Sequence, residues 1–203
     1  MLTVGKDAAG VEELLVSGRL GCPGCGGRLR GWGHARRRVV RDAGQGRRLL
    51  RPRRARCAGC GCTHVLLPVS VLARRADAAA VIGAALAGAA AGLGYRTVAE
   101  RAGRPAATVR GWLRRFRSRA EVLRAAFTRV LCALDPDPLL PAPAGSPAGD
   151  AVAVIVAAAA AAGRRWGGGT LTLPPWELAA AVTGGRLLAP GSVVEVINTS
   201  CPW

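Results

Sequence analysis

The pattern of apolar and polar positions changes character near residue 70, with extended runs before it and helical periods after it. In "RLRGWGHARRRVVRDAGQGRRLLRPRRAR" two extended runs flank "DAGQG", whose Asp and glycines predict a hairpin turn, and "THVLLP" predicts a third strand. Residues 1–19 are expected to form a helical lead. Beyond residue 70, "AAAVIGAALAGAAAGLG" (78–94) is built mostly of Ala and Gly, with Val81, Ile82, Leu86 and Leu93 as its large side chains. It falls short of the roughly 20 residues that span a bilayer, so a buried helix is expected, with Ile82, Leu86 and Leu93 on its packing face.

"YRTVAERAGRPAATVRGWLRRF" (95–116) carries the clearest periodicity. Val98, Ala99 and Ala102 predict the inner face of a short helix, Gly103 its end and Pro105 the start of the next. On that next helix Val109, Trp112, Leu113 and Phe116 recur at i, i+3, i+4 and i+7, leaving Arg110, Arg114, Arg115 and Arg117 on the opposite face. Two helices across a short Gly-containing turn, the second basic outside, have the layout of a helix-turn-helix. The positions expected to reach a DNA groove are Arg104, Ala106, Ala107, Thr108, Arg110 and Gly111. Arg110 and Arg104 suit bidentate contact to guanine, Thr108 suits a phosphate, and the two alanines allow close approach. Arg114, Arg115 and Arg117 suit the DNA backbone. A further helix follows with Val122, Ala126 and Val130 among its inner positions. "DPDPLLPAPAGSPAG" holds five prolines and predicts a linker, and "AVAVIVAAAAAAG" and "PPWELAAAVTGGRLLAP" predict two short tail helices.

Cysteines alter this picture. "CPGCG" and "CAGCG" repeat one unit, in which a two-residue spacer points both thiols inward and the trailing Gly is free to take positive φ. The expected ligands of one structural Zn2+ per chain are therefore Cys22, Cys25, Cys57 and Cys60, with Cys62 or His64 as substitutes for Cys60. His64 otherwise suits a donor to the ligands or a surface position. Disulfides of a secreted chain are the weaker reading, because "MLTVGKDAAG" offers no apolar signal region and seven cysteines leave one unpaired. A redox CxxC pair lacks a thioredoxin-like pattern around it. Cys132 is expected to be a buried small hydrophobe, Cys201 a tail thiol and His34 a solvated strand residue. Knuckle, hairpin, knuckle, strand is the order of a zinc ribbon, whose small core makes the metal its main source of folding free energy. Asp42 is the one acid inside the ribbon and sits at the turn, which argues against a catalytic ion.

Charge then points to a partner. The formal net charge is +17, with 26 basic and 7 acidic residues up to position 130 and 3 basic and 5 acidic from 131 onward. Lys6 is the single lysine. GC-rich codon usage accounts for part of the arginine content but not for its confinement to the first two thirds. Clusters such as "ARRRVVR" and "RRLLRPRRAR" suit a polyanion, and Arg36, Arg37, Arg53 and Arg54 are the ribbon arginines expected on phosphates.

A ribbon ending "CTHVLLP" followed directly by "YRTVAERAGRPAATVRGWLRRF" resembles the amino-terminal DNA-binding part of insertion-sequence transposases, and small uncharacterised bacterial ribbon plus helix-turn-helix proteins. The resemblance covers about residues 20–134, extends weakly to "NTSCPW", and implies double-stranded DNA binding. It brings no reaction, since the stretch after the linker is too short for a transposase catalytic domain with its three carboxylates. The expected fold class is α+β: a small antiparallel zinc ribbon (20–70) after the lead, an all-α helix-turn-helix domain (71–134), a Pro-rich linker (135–149) and a helical tail (150–203). The expected function is non-enzymatic, sequence-specific DNA binding in the cytoplasm, as a transposition accessory or transcriptional regulator, with the tail as a docking place for a separate transposase or other protein. The alternative is a protein-interaction adaptor that docks a partner through the ribbon. No membrane association is expected, and the oligomeric state is open.

Overall fold

The computed structural model of the chain describes residues 1–166 and 174–189. Its order is β1 (Leu2–Val4), α1 (Ala8–Val16), β2 (Leu29–His34), β3 (Arg38–Arg41), β4 (Arg47–Leu50), β5 (Arg53–Cys57), β6 (Thr63–Pro68), α2 (Ala79–Ala90), α3 (Tyr95–Ala102), α4 (Ala106–Arg117), α5 (Ala120–Leu134), α6 (Pro147–Trp166) and α7 (Pro175–Val182). The fold is mixed α+β. Strands lie in the order β1-β6-β5-β2, and β3 and β4 form a separate two-stranded hairpin.

The two expected extended runs each break in the middle. Gly33 takes φ +74° and the β2–β5 register shifts between Gly31 and His34, a bulge that bends the strand away. On the returning run Pro52 has no N–H to continue the ladder, while its carbonyl accepts the Ala35 N–H at 2.8 Å. The inner halves therefore leave the sheet and pair as β3 and β4, with Val39 opposite Leu49. Their turn falls at "DAGQG" as expected, closed by Asp42 N–H to the Gly46 carbonyl at 2.8 Å with Gly44 at φ +60°.

The segment before the ribbon is not a helical lead alone. Leu2–Val4 adds a strand parallel to β6, so the sheet is not purely antiparallel. Asp7 then caps α1 by accepting the Ala9 and Gly10 N–H groups. Val4, Val11, Leu14 and Leu15 from this segment meet Leu20, Leu29, Ala55 and Leu66 and the thiols of Cys22 and Cys57 in one small core. The ribbon thus gains more apolar support than residues 20–70 supply by themselves.

A larger core runs from the end of β6 through α2 to α7. The apolar face of α2 holds Val81, Ile82 and Leu86, and α3 contributes Val98 and Ala99. Helix α5 turns Leu123, Ala126, Phe127, Val130 and Leu131 inward. Val122 is exposed, against expectation, because the larger Leu123 and Phe127 set the phase of the helix. Cys132 is also exposed and is not a core residue.

The tail is part of this core. Helix α6 starts inside the expected linker, where Ser146 Oγ accepts the Gly149 N–H at 3.1 Å and Pro147 begins the first turn. It runs 20 residues, longer than expected, packs along α5, and buries Ala151, Ile155, Ala158 and Ala162. By length and composition α6 is the one described helix able to cross a membrane, yet 56% of its apolar window is buried inside the protein. Trp176 of α7 lies on the backbone of Gly83 in α2, where a Cβ would sit 2.0 Å from the indole. Cys201 and "NTSCPW" lie outside the described residues.

Candidate functional site

Four sulfurs converge where β2 begins and β5 ends. The Sγ atoms of Cys22, Cys25, Cys57 and Cys60 all lie within 4.8 Å of one another, a group able to hold a metal ion. Cys22 and Cys60 are 3.8 Å apart and Cys25 and Cys57 3.4 Å. The repeated sequence produces a repeated geometry. Gly26 N–H donates to the Cys22 carbonyl at 2.8 Å and Gly61 N–H to the Cys57 carbonyl at 3.1 Å, with both glycines at positive φ, 72° and 73°. These are the trailing glycines of the two units. Cys22 and Cys57 are buried, Cys25 and Cys60 exposed.

Protonation explains what the cluster needs. The Cys57 thiol is lowered to about 6, first by the Cys60 N–H that donates to its sulfur. Cys60 is raised to about 12: the Cys62 N–H favours its thiolate, but sharing its proton with Cys25, Cys57 and Cys62 outweighs that. One thiolate forms readily and its neighbour then keeps a proton. Four thiolates so close together require a bound cation to offset their mutual repulsion.

Neither substitute ligand enters the group. Cys62 is exposed, and its carbonyl accepts the Cys57 N–H at 2.9 Å. His64 Nε2 lies 3.4 Å from Cys22 Sγ while Nδ1 faces the N-terminal amine at 3.4 Å. Burial, then the nearby ammonium, pushes this imidazole below its usual range, which suits a neutral ring donating to the sulfur. His34 is exposed on β2, as expected.

The second candidate feature is the helix pair. Gly103 ends α3 in the left-handed region (φ 60°, ψ 40°), and Arg104 N–H returns to the Ala99 carbonyl at 3.0 Å. Helix α4 buries Val109, Trp112, Leu113 and Phe116, the expected stripe. Ala106, Ala107, Arg110, Arg114 and Arg117 are exposed, while Thr108, Gly111 and Arg115 are half-buried. Arg115 donates to the Gly111 carbonyl at 3.0 Å. Among the described residues no ion pair engages Arg110, Arg114 or Arg117.

Arg104 leaves the expected set of base-contacting residues. Its side chain is 6% exposed and pairs at 2.6 Å with Asp77, itself 3% exposed. It also donates to the Asp42 carbonyl at 2.7 Å and the Gly44 carbonyl at 3.3 Å. Asp77 takes a second arginine, Arg41, at 2.7 Å. This network fastens the β3–β4 turn to the turn between α3 and α4, so the guanidinium is engaged inside the protein. Arg53 is likewise held, by an ion pair with Glu12 and a 2.6 Å bond to the Gly33 carbonyl. Arg36 and Arg37 stand exposed in the loop after β2, and half-buried Arg54 reaches only Thr63 Oγ1 at 3.5 Å.

Sequence reasoning missed Gly27 and the Asp77 network. A Cβ on Gly27 would lie 3.0 Å from Cys57 Sγ and 3.3 Å from Cys25 Sγ, so the second glycine of "CGG" admits the sulfurs. That doublet was the available signal. Asp77 gave none, since its partners lie 36 and 27 residues away in sequence.

None of the curated proteins and none of the solved structures matches the chain. Over residues 22–112, from the first cysteine of the cluster to Trp112 within α4, it is similar to a family described as a domain of unknown function, DUF6431.

Proposed function

We propose that the chain is a sequence-specific double-stranded DNA-binding protein, acting as a transposition accessory or transcriptional regulator. In this reading α3 and α4 form a helix-turn-helix, and a ribbon built around one structural Zn2+ sets its orientation. The observation that carries it is the outer face of α4, where Arg110, Arg114 and Arg117 are exposed and, among the described residues, have no carboxylate partner, opposite a fully buried stripe. Unneutralised arginines on one helix face, beside two exposed alanines at its start, suit phosphate and base-edge contact.

Zinc fits the cysteine group. Zn–S bonds of about 2.3 Å around a tetrahedron place sulfurs about 3.8 Å apart, and the closest approaches here are 3.4 and 3.8 Å. Cys22, Cys25, Cys57 and Cys60 would hold the ion, leaving no open position for a substrate. A non-enzymatic role is supported by the engagement of the acids: Asp77, Asp42, Glu12 and Asp135 each face an arginine. The helices α6 and α7, being core elements, are unsuited to act as a free docking tail.

The adaptor reading has one observation of its own. Val39 and Leu49, cross-strand partners on the β3–β4 hairpin, are 51% and 63% exposed. An apolar pair on the outer face of the hairpin, whose inner Val40 is buried, suits a protein partner.

Selection of duplexes from a random pool, followed by salt-dependent gel shifts, separates the two. Arg110→Ala should narrow the gap between selected and random DNA by about 1–3 kcal/mol. Arg36→Ala with Arg37→Ala should weaken all duplexes alike and flatten the log affinity against log salt slope by about 0.9 per lost phosphate contact. If no motif is enriched, or both variants give one profile, the recognition-helix reading fails.

A further inference from the structure

We propose that the outer face of the ribbon sheet binds unpaired nucleotides of a single-stranded nucleic acid, stacking a base on Trp32. This site is separate from α4 and does not depend on the duplex reading. The two faces of the sheet differ sharply. Leu29, Ala55 and Cys57 point into the small core under α1, and Arg53 lies on that side with Glu12. Register puts Arg30, Arg56 and Thr63 in one row on the other face and Arg54 with Val65 in the next. No acidic residue occurs in β2, β5 or β6. Among the described residues Arg30 makes no ion pair, and Arg54 and Arg56 donate to the neutral oxygens of Thr63 and Gly61 and to no carboxylate.

Within this basic face stands Trp32, 51% exposed. The guanidinium carbon of Arg56 lies 4.9 Å from the centre of its ring, which fixes the indole over the sheet. The next residue, Gly33, takes φ +74° at the bulge and brings no side chain to crowd the exposed ring. An exposed aromatic plane held by one arginine and flanked by two others offers a base a stacking partner and its phosphates a set of cations. Bases inside a duplex are already stacked and cannot use that plane; unpaired ones can.

The test uses zinc-loaded full-length protein and fluorescence anisotropy of end-labelled oligo(dT), oligo(U) and an abasic strand of equal length and charge. Both base-bearing strands should bind about 10-fold or more tighter than the abasic strand, the effect of one base stack. Trp32→Ala should bring them down to the abasic level, Trp32→Phe should recover most of the loss, and gel shifts of duplex DNA should be unchanged in both. Whichever of oligo(dT) and oligo(U) binds tighter names the natural strand. Equal binding of abasic and base-bearing strands by the wild type overturns the proposal, as does wild-type affinity in Trp32→Ala. Zinc content checks each variant for folding; should Trp32→Ala lose its zinc, the wild-type abasic comparison and Trp32→Phe still decide.

Discussion

Ten buried residues make up the core beneath the ribbon sheet, and two of them are the thiols Cys22 and Cys57. The core between α2 and α7 is built differently, from large side chains such as Ile82, Leu86, Trp112, Phe116, Leu123 and Phe127 together with the alanines of α6. The first is too small to order four strands, a helix and the loops between them by apolar burial alone. The second is packed by apolar side chains alone over most of its extent, with Gly83 letting α7 come close to α2. Adjacent halves of one chain therefore depend on different forces, and each should fail under a different insult.

Metal removal should produce the largest effect. Structural zinc contributes about 10–16 kcal/mol to folding in small metal-dependent units. Cys22→Ser or Cys57→Ser should abolish the expected one zinc per chain, and Cys132→Ser should not. Hydrogen exchange after chelation should show residues 20–70 unprotected while α5 and α6 keep their protection. Retained zinc in both knuckle variants would remove the metal from the comparison; loss of protection in α6 as well would show that the halves unfold as one.

The joint between the halves comes next. Asp77 faces Arg104 at 2.6 Å and Arg41 at 2.7 Å, the first pair being almost wholly buried. Removing one partner of such a pair strands the other, at a cost of about 3–5 kcal/mol. Asp77→Ala should lower the urea midpoint by a corresponding amount. Because Arg41 belongs to the hairpin, its own exchange protection should fall together with that of the α3–α4 turn. An unchanged midpoint would mean that solvent replaces the carboxylate and that the joint contributes little.

What the sequence made legible divides along the same line. The paired cysteine units and the α4 stripe are local repeats with a fixed period, so their residues identify them without knowledge of distant partners. Leu2–Val4 is too short to show any period, and its place beside β6 depends on pairing with Leu66, Leu67 and Pro68, at the far end of the ribbon. Arg104 looked like a groove contact because its sequence neighbours belong to the helix pair; the carboxylate that engages it lies 27 residues upstream. In α6 the alanines suit a core and a loose tail equally, and only the packing of the helix on α5, with Ala158, Ala159, Ala161 and Ala162 buried, decides between them. For Cys132, small size suggested burial, but the phase set by Leu131 and Phe127 turns it outward.

Within the helical half the close contact of Gly83 with Trp176 is the place to measure packing. A Cβ there would overlap the indole at 2.0 Å. Gly83→Ala should destabilise by about 1–3 kcal/mol through overpacking, less the roughly 1 kcal/mol that Ala gains in helix propensity. Combined with Trp176→Ala the two changes should fall short of additivity by about 0.5–3 kcal/mol. Strict additivity would mean that the ring moves aside freely and that the helical core is looser than its burial implies.

The smallest effect belongs to α1, which lies at the edge of the half built around the cysteine cluster. Asp7 accepts the Ala9 N–H at 3.2 Å and the Gly10 N–H at 2.8 Å. Helices α2, α3 and α4 have no side-chain cap. Helices α2 and α4 bury longer apolar faces and α3 is closed at its end by Gly103, whereas α1, with Val11, Leu14 and Leu15 inside, is the one of the four that carries a side-chain cap. Asp7→Ala should cost about 1 kcal/mol in the zinc-loaded protein, seen as faster amide exchange across residues 8–16. If an ion on the cysteine cluster maintains the sheet on which α1 packs, the same substitution should change nothing in chelated protein. Equal acceleration with and without zinc would show α1 folding independently of the cysteine cluster, and the boundary between the two kinds of core would then lie after residue 16.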